Sequence, residues 1–317
     1  MAGYILRRFV QAVVVLLGVV LIVFLLSQVI PGGEARAVLG SRATPADIRA
    51  FNRANGFTQP VWIQFWHYIS GLPLLHLGYS YPFTAPIGEL IKIRLPKTLV
   101  LVGTSTVLAL LVAIPLGILQ VVKRHKPMDY ALTGLSFVLY ATPTFFLGTL
   151  LIIWFSFDLH LLPVAPPTDA SPWAVFTDPR PFIMPVCTLA AVTVAAFSRY
   201  MRSSMLDALA EDYIRTAKAK GASGRRILLG HALRNALIPV VTLIGLSLPA
   251  IVSGAVIVEA VFNYPGMGLL VVQGAENHDI PLVLGTTLVA AVATVTGSLL
   301  ADLLYVVVDP RIRYVNL

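Results

Sequence analysis

The 317-residue chain has one cysteine, Cys187, and only 12% charged residues. A lone thiol excludes an intrachain disulfide framework, and within an apolar run Cys187 reads as a small buried hydrophobe. No G-x-x-x-x-G-K-[ST] loop occurs, so the chain lacks that cradle for nucleotide phosphates. H-E-x-x-H and G-x-S-x-G are missing too, which removes common metalloprotease and hydrolase signatures. The six histidines, His67, His76, His125, His160, His231 and His278, are scattered without metal-ligand spacing. The expectation is a chain that is not itself an enzyme and holds no metal or cofactor.

What the chain does have is apolar length. Hydrophobic residues make up 57% of it, and its mean hydropathy is +0.83. About 20 helical residues at about 1.5 Å each cross the hydrocarbon of a bilayer. The predicted fold class is therefore all-α, a polytopic membrane protein with six transmembrane helices. Their expected ranges are 9–30, 98–122, 130–157, 182–197, 236–258 and 281–308, the fourth being short for a full crossing. The first run follows Arg7 and Arg8 and precedes the Ala-x-Ala of 35–37, two features of a secretory signal. It exceeds the about 7–15 apolar residues of a signal core, so it is read as an uncleaved span.

Orientation follows from the basic residues. With the N-terminus inside, the inner segments carry Arg7 and Arg8, then Lys123, Arg124 and Lys126, then Arg199 to Arg234, then Arg311 and Arg313, most of the 23 Lys and Arg. Cytoplasmic loops collect such residues, so both termini are placed in the cytoplasm. Lys92, Arg94 and Lys97 fall outside, after a loop longer than the about 60 residues over which the rule holds. The chain divides into an N-terminal end with span 1 (1–30), an extracytoplasmic loop region (31–97) and a core of spans 2–6 (98–317) that includes the loop 207–235.

The loop region 31–97 carries its own signals. Thr44 is a plausible N-cap, Pro45 a first helical residue and Gly56 a stop. Residues 59–72 are aromatic-rich, as in an interfacial helix, and 85–99 are expected to lie along the outer interface. Pro115, Pro143 and Pro249 lie inside apolar runs, where proline tends to kink a helix; Pro185 and Pro239 lie near span starts. Ionisable groups in the spans are scarce: Asp302 lies in the last turns of span 6, Arg199 follows span 4 and Glu259 closes span 5. That scarcity argues against a proton- or sodium-coupled carrier.

One segment departs from the apolar pattern: EDYIRTAKAKGASGRRILLGHALRNALIPV, from Glu211 to Val240. It reads as a helix with acids first and bases last, a stop at Gly221, a cap at Ser223 and a second helix running into span 5. Three readings offer themselves. A DNA-binding helix-turn-helix would need a third helix and a core for which spans 4 and 5 leave no room, so nucleic acid is excluded as a partner. Acidic membrane lipid explains the charge. A docked protein also explains the small residues Ala217, Ala219, Gly221 and Ala222.

Here the residues resemble a family. Ala217 and Gly221 match the last alanine and the glycine of E-A-A-x-x-x-G, the coupling loop of ABC-importer permeases. Arg215 and Thr216 stand where Glu and Ala are usual. RTA-A-G followed by HALRNALIPV, the early RR and PG, VEAVFNYPGMG at 258–268 and the final DPRIRY resemble the dipeptide and oligopeptide branch, specifically the first of its two permeases. LLHLGYSY at 74–81 resembles that branch's GDLG-S, with His76 in place of Asp.

The resemblance implies a six-span permease that pairs with a second permease and carries two ATPase subunits, with ATP and Mg bound by those partners. An extracytoplasmic binding protein delivers the solute, and the site is the inner membrane of a prokaryote. It also implies an ATPase-docking helix made of Tyr213, Arg215, Thr216, Ala217, Lys218, Lys220, Gly221 and Ala222. A side chain at Gly221 is expected to crowd the turn. Glu259, Asn263, Tyr264 and Gly266 form a second expected site, either the outer mouth of the pathway or simply a turn capping span 5. Peptides are the favoured cargo, with glutathione and nickel complexes as alternatives in the same branch. A secondary carrier and a non-transporting membrane interaction protein remain as competing classes.

Overall fold

The computed structural model describes residues 2–29, 35, 38–40, 43–71, 77–277 and 279–308, with backbone alone at helical residues 2–6, 27, 242, 244–254 and 300–308. Pro31-Gly32-Gly33, His76, His278 and DPRIRY lie outside the described residues, as does the side chain of Asp302.

The architecture is helical, as the composition requires: in hydrocarbon every backbone polar group must be satisfied within its own segment. The helices are α1 (Ala2–Val29), α2 (Pro45–Ala54), α3 (Val61–Gly71), α4 (Ile87–Val122), α5 (Pro127–Ala141), α6 (Thr144–Leu151), α7 (Ala174–Thr177), α8 (Ile183–Ala210), α9 (Asp212–Ala219), α10 (Gly224–Arg226), α11 (Leu233–Val261), α12 (Met267–Glu276) and α13 (Ile280–Val308). A two-residue antiparallel ladder joins β1 (Tyr79–Ser80) to β2 (Ala85–Pro86). Among the described residues four helices are long and apolar enough to cross a membrane, and a bent pair, α5 with 144–158, makes a fifth. The 29-residue α11 covers the remaining expected span; at about 1.5 Å per residue it too has the length to cross. Large apolar side chains such as Val14, Leu111, Phe137 and Phe146 are exposed, which suits lipid rather than water.

Four expectations are corrected. Cys187 is exposed rather than buried. Span 3 is not one rod: it bends by 103° between α5 and α6. Thr142, just before Pro143, is extended (φ −77°, ψ 124°), because a following proline disfavours the helical region. α4 and α11, in contrast, pass Pro115, Pro239 and Pro249 without a break. Span 4 is not short: α8 has 28 residues and ends at Ala210, placing Arg199 inside it. Residues 87–99 are not a separate interfacial segment but the opening turns of α4, where Lys97 is buried.

The chain divides into two compact units, residues 1–98 with 265–296 and residues 99–264 with 297–317. In the first, Thr44 caps α2: its Oγ accepts from the Asp47 N–H at 3.3 Å, and the Asp47 carboxylate accepts from the Thr44 N–H at 3.0 Å. The Thr44 hydroxyl also donates to the Asp47 carboxylate at 2.6 Å, and this bond, then the one from the Thr44 N–H, holds the Asp47 carboxyl below its ordinary value. Ser80, fully buried, donates to the Asp279 carboxylate, which also accepts from the Leu282 N–H at 3.2 Å and so caps α13. A core of Val20, Leu77, Ile87, Ile91, Leu270 and Leu282 packs around that clasp. In the second unit α8 is central, packing on α5, α6 and α11.

Candidate functional sites

The first candidate site is the turn between α8 and α11. α9 is held chiefly by Ile214, which is fully buried among Met201, Met205, Ala208, Ile227 and Ala232. Met201, Met205 and Ala208 recur at helical spacing along the part of α8 that extends past its apolar run, giving it an inward stripe. The helix closes as the sequence predicts. Gly221 is left-handed (φ +78°); its N–H donates to Lys218 O at 2.9 Å, and the Ala222 N–H donates to Ala217 O at 3.1 Å. These two bonds satisfy carbonyls that a helix end otherwise leaves open. Ser223 then accepts from the Arg226 N–H at 3.4 Å, and α10 leads through a π-helix (Ile227–Ala232) into α11.

Two expectations about this turn change. A Cβ at Gly221 meets nothing within 4 Å, so within this chain a side chain there strains the backbone but crowds no neighbour. Ala217 and Ala222 are half-buried against the chain's own core; their small size lets α9 lie close to α8 rather than opening a surface. The outward face belongs to Tyr213, Arg215, Thr216, Lys218, Ala219, Lys220 and Gly221, all exposed. Arg215 pairs with Asp212 at 3.2 Å with both side chains largely in solvent, a contact of little energetic weight.

The second candidate site closes α11 by the same device. Asn263 is left-handed (φ 47°); it donates to Ala260 O at 3.2 Å, and the Tyr264 N–H donates to Glu259 O at 2.8 Å. Asparagine is one of the few residues other than glycine that takes this conformation readily. Around it almost everything is buried: Glu259 has 0% exposure and Tyr264 2%, and Gly266 is buried as well. The Tyr264 ring meets Phe182 edge-on at 6.1 Å. Burial, and then the charge of Glu259, raise the Tyr264 phenol above its ordinary value, so it stays a neutral donor. Of the four expected residues only Asn263 is exposed. That geometry favours the capping turn over a water-facing mouth. A cavity of about 610 Å³ opens in the first unit among Phe24, Phe51, Tyr79, Gln28 and Gln64, and none of the expected site residues lines it.

The sequence reading missed an ion pair with a buried acid and a partly exposed base. Asp129 opens α5, three residues after the chain end of the KRHK run, and pairs with Arg202 of α8 at 3.0 Å. Acid at the third helical position is a start signal, but its partner is distant in sequence. Among the described residues no group of three or more His, Cys, Asp or Glu is placed to hold a metal ion.

Comparison with known proteins covers nearly the whole chain. A family model for the N-terminal part of binding-protein-dependent transport system membrane components matches residues 1–102, and the model for the inner membrane component of those systems matches residues 105–314. The oligopeptide transport system permease protein AppB of Bacillus subtilis (strain 168) is 38% identical over 99% of this chain and 100% of its own length. The probable D,D-dipeptide transport system permease protein DdpB of Escherichia coli (strain K12) is 39% identical over 95% and 94%. The glutathione transport system permease protein GsiC of Salmonella typhimurium is 37% identical over 99% and 100%. The chain belongs to the family of inner membrane components of binding-protein-dependent transport systems.

Proposed function

We propose that this chain is a permease subunit of an ATP-driven importer of di- or oligopeptides, with α9 as the docking helix for an ATPase subunit. One observation carries the docking assignment. α9 is anchored from behind by the fully buried Ile214, with Ala217 half-buried beside it, and presents Tyr213, Arg215, Thr216, Lys218 and Lys220 on its exposed face. A helix so held moves with α8 and α11 when it is pushed, whereas a lipid-binding segment needs charge but no such anchor.

Orientation, partners and cargo belong to the same proposal. Both termini and α9 face the cytoplasm, the side on which Lys and Arg collect. A second, related permease completes the pathway, two ATPase subunits bind ATP and Mg, and a binding protein brings the solute from outside. Relatives named for oligopeptides and dipeptides support peptides as cargo; the relative named for glutathione keeps a related tripeptide in the same chemical class.

The test is purification of the tagged chain from its native membrane in mild detergent, with identification of the captured chains by mass. Two phosphate-loop ATPases and a second permease are expected, and the complex in vesicles should import peptide only with ATP and the binding protein. Import by the isolated chain without ATP would overturn the proposal.

A further inference from the structure

α5 and α8 meet along a polar seam. Asp129, 3% exposed, pairs with Arg202 at 3.0 Å and accepts from the His125 N–H at 3.2 Å and the Thr133 hydroxyl at 3.4 Å. The fully buried Gln120 of α4 donates to Thr133 at 3.5 Å. Farther along the seam the Ser136 and Ser198 hydroxyls lie 3.5 Å apart. Arg199 sits over the Phe137 ring at 4.7 Å and the Tyr140 ring at 5.3 Å. Two arginines of α8 thus grip α5 near both of its ends.

The seam stands between the two candidate sites. Met201 and Met205, beside Arg202 on α8, pack on Ile214 of α9. A Cβ at Gly117 of α4 would come within 2.7 Å of Met201, so α4 is pressed on α8 at the same level. At its other end α5 stops at the 103° bend. Beyond the bend, a Cβ at Gly148 of α6 would lie 3.1 Å from the Phe262 ring, which belongs to the turn that closes α11. Packed cores shift between discrete arrangements rather than deforming smoothly. α5 and its bend are thus one route by which a displacement of α9 reaches that turn, beside the direct packing of α8 on α6 and α11.

We propose that Asp129 and Arg202 are positioning residues that lock α5 to α8, so that movement of the docking helix is delivered through the α5–α6 bend to the turn at 259–264. The inference rests on the importer reading above. An ion pair of which only the acid is buried adds little net stability; its role here is to fix which helix moves with which. The lock differs from simple folding support in one respect: losing it should separate ATP hydrolysis from import.

The experiment uses the complete transporter in vesicles, reading ATP hydrolysed per peptide imported. Asp129→Asn is expected to leave hydrolysis intact and raise that ratio by about tenfold, the scale of a typical coupling free energy. The exchange of Asp129→Arg with Arg202→Asp is expected to bring the ratio back toward wild type. An unchanged ratio in an assembled Asp129→Asn complex would overturn the lock. So would an exchanged pair that assembles and hydrolyses ATP but does not import, or failure of both variants to assemble, which would mark the pair as a folding element. If the wild-type chain brings down no ATPase, it is the importer reading that fails, before any variant is made.

Discussion

The turns that close α9 and α11 use one backbone device in opposite surroundings. On the side of α9 a left-handed Gly221 closes the helix in the open, with nothing within 4 Å of where its Cβ would be. Beyond Val261 a left-handed Asn263 closes α11 beside a fully buried Glu259 and a nearly buried Tyr264. The hydrogen-bond pattern is the same in both turns. The surroundings differ: the first turn leaves a polar face bare, and the second encloses an acid within its own fold. A helix-closing motif in the sequence thus states where a chain turns and says nothing of what the turn faces.

The comparison breaks most completely at the anchor. Ile214→Asp puts a carboxylate into the core that holds α9, and burying an unpaired charge costs several kcal/mol. Import should be abolished and ATPase subunits lost from the purified complex; retention of both would show that α9 is held by something other than Ile214. Next in size is Gly221→Val, where a β-branched residue must take a left-handed conformation at about 1–2 kcal/mol. Import should fall severalfold while the chain still inserts, and Gly221→Asn, copying residue 263, should recover most of it. A Gly221→Asn variant as impaired as Gly221→Val would mean that the bare surface, not backbone strain, matters there.

Glu259→Gln sharpens the second turn. If Glu259 serves the buried turn, the melting temperature of the solubilised chain drops and the peptide concentration for half-maximal import stays fixed. A changed half-maximal concentration at unchanged melting temperature would restore the carboxylate to the pathway. The smallest effect is expected at α2. The Asp47 carboxyl, held below its ordinary value by Thr44, stabilises the folded state above the ordinary carboxylate range, and this contribution is lost as pH falls through its lowered value. Hydrogen exchange of the α2 amides should rise there in wild type, and Asp47→Asn should flatten the dependence.

Much of this was legible. Thr44 and Pro45 start α2 and Gly56 stops it with a left-handed φ of 74°, because cap chemistry is local. Gly221 and Ser223 mark their turn for the same reason. The expected last span, 281–308, agrees with α13 within a residue. The extension of α8 to Ala210 was not legible from hydropathy, since an apolar run reports the length exposed to lipid and a helix need not end where lipid does. Its continuation is set by Met201, Met205 and Ala208, whose burial depends on partners in α9 and the π-helix. Nor could composition tell Pro143, which breaks a span, from Pro115, which does not; around Pro115, Ala113 is buried and Gly117 is pressed on Met201.

The sequence by itself determined the solvent, the helices and the chemistry of their ends, because hydropathy, capping and left-handed turns each act over a few residues. Tertiary structure alone decided that Ile214, Ala217 and Ala222 point inward, that Glu259 is enclosed, and that Asp129 finds Arg202 across 73 positions of chain. Those outcomes depend on which surfaces meet when the helices pack, and a contact between distant segments leaves no mark on either segment read alone.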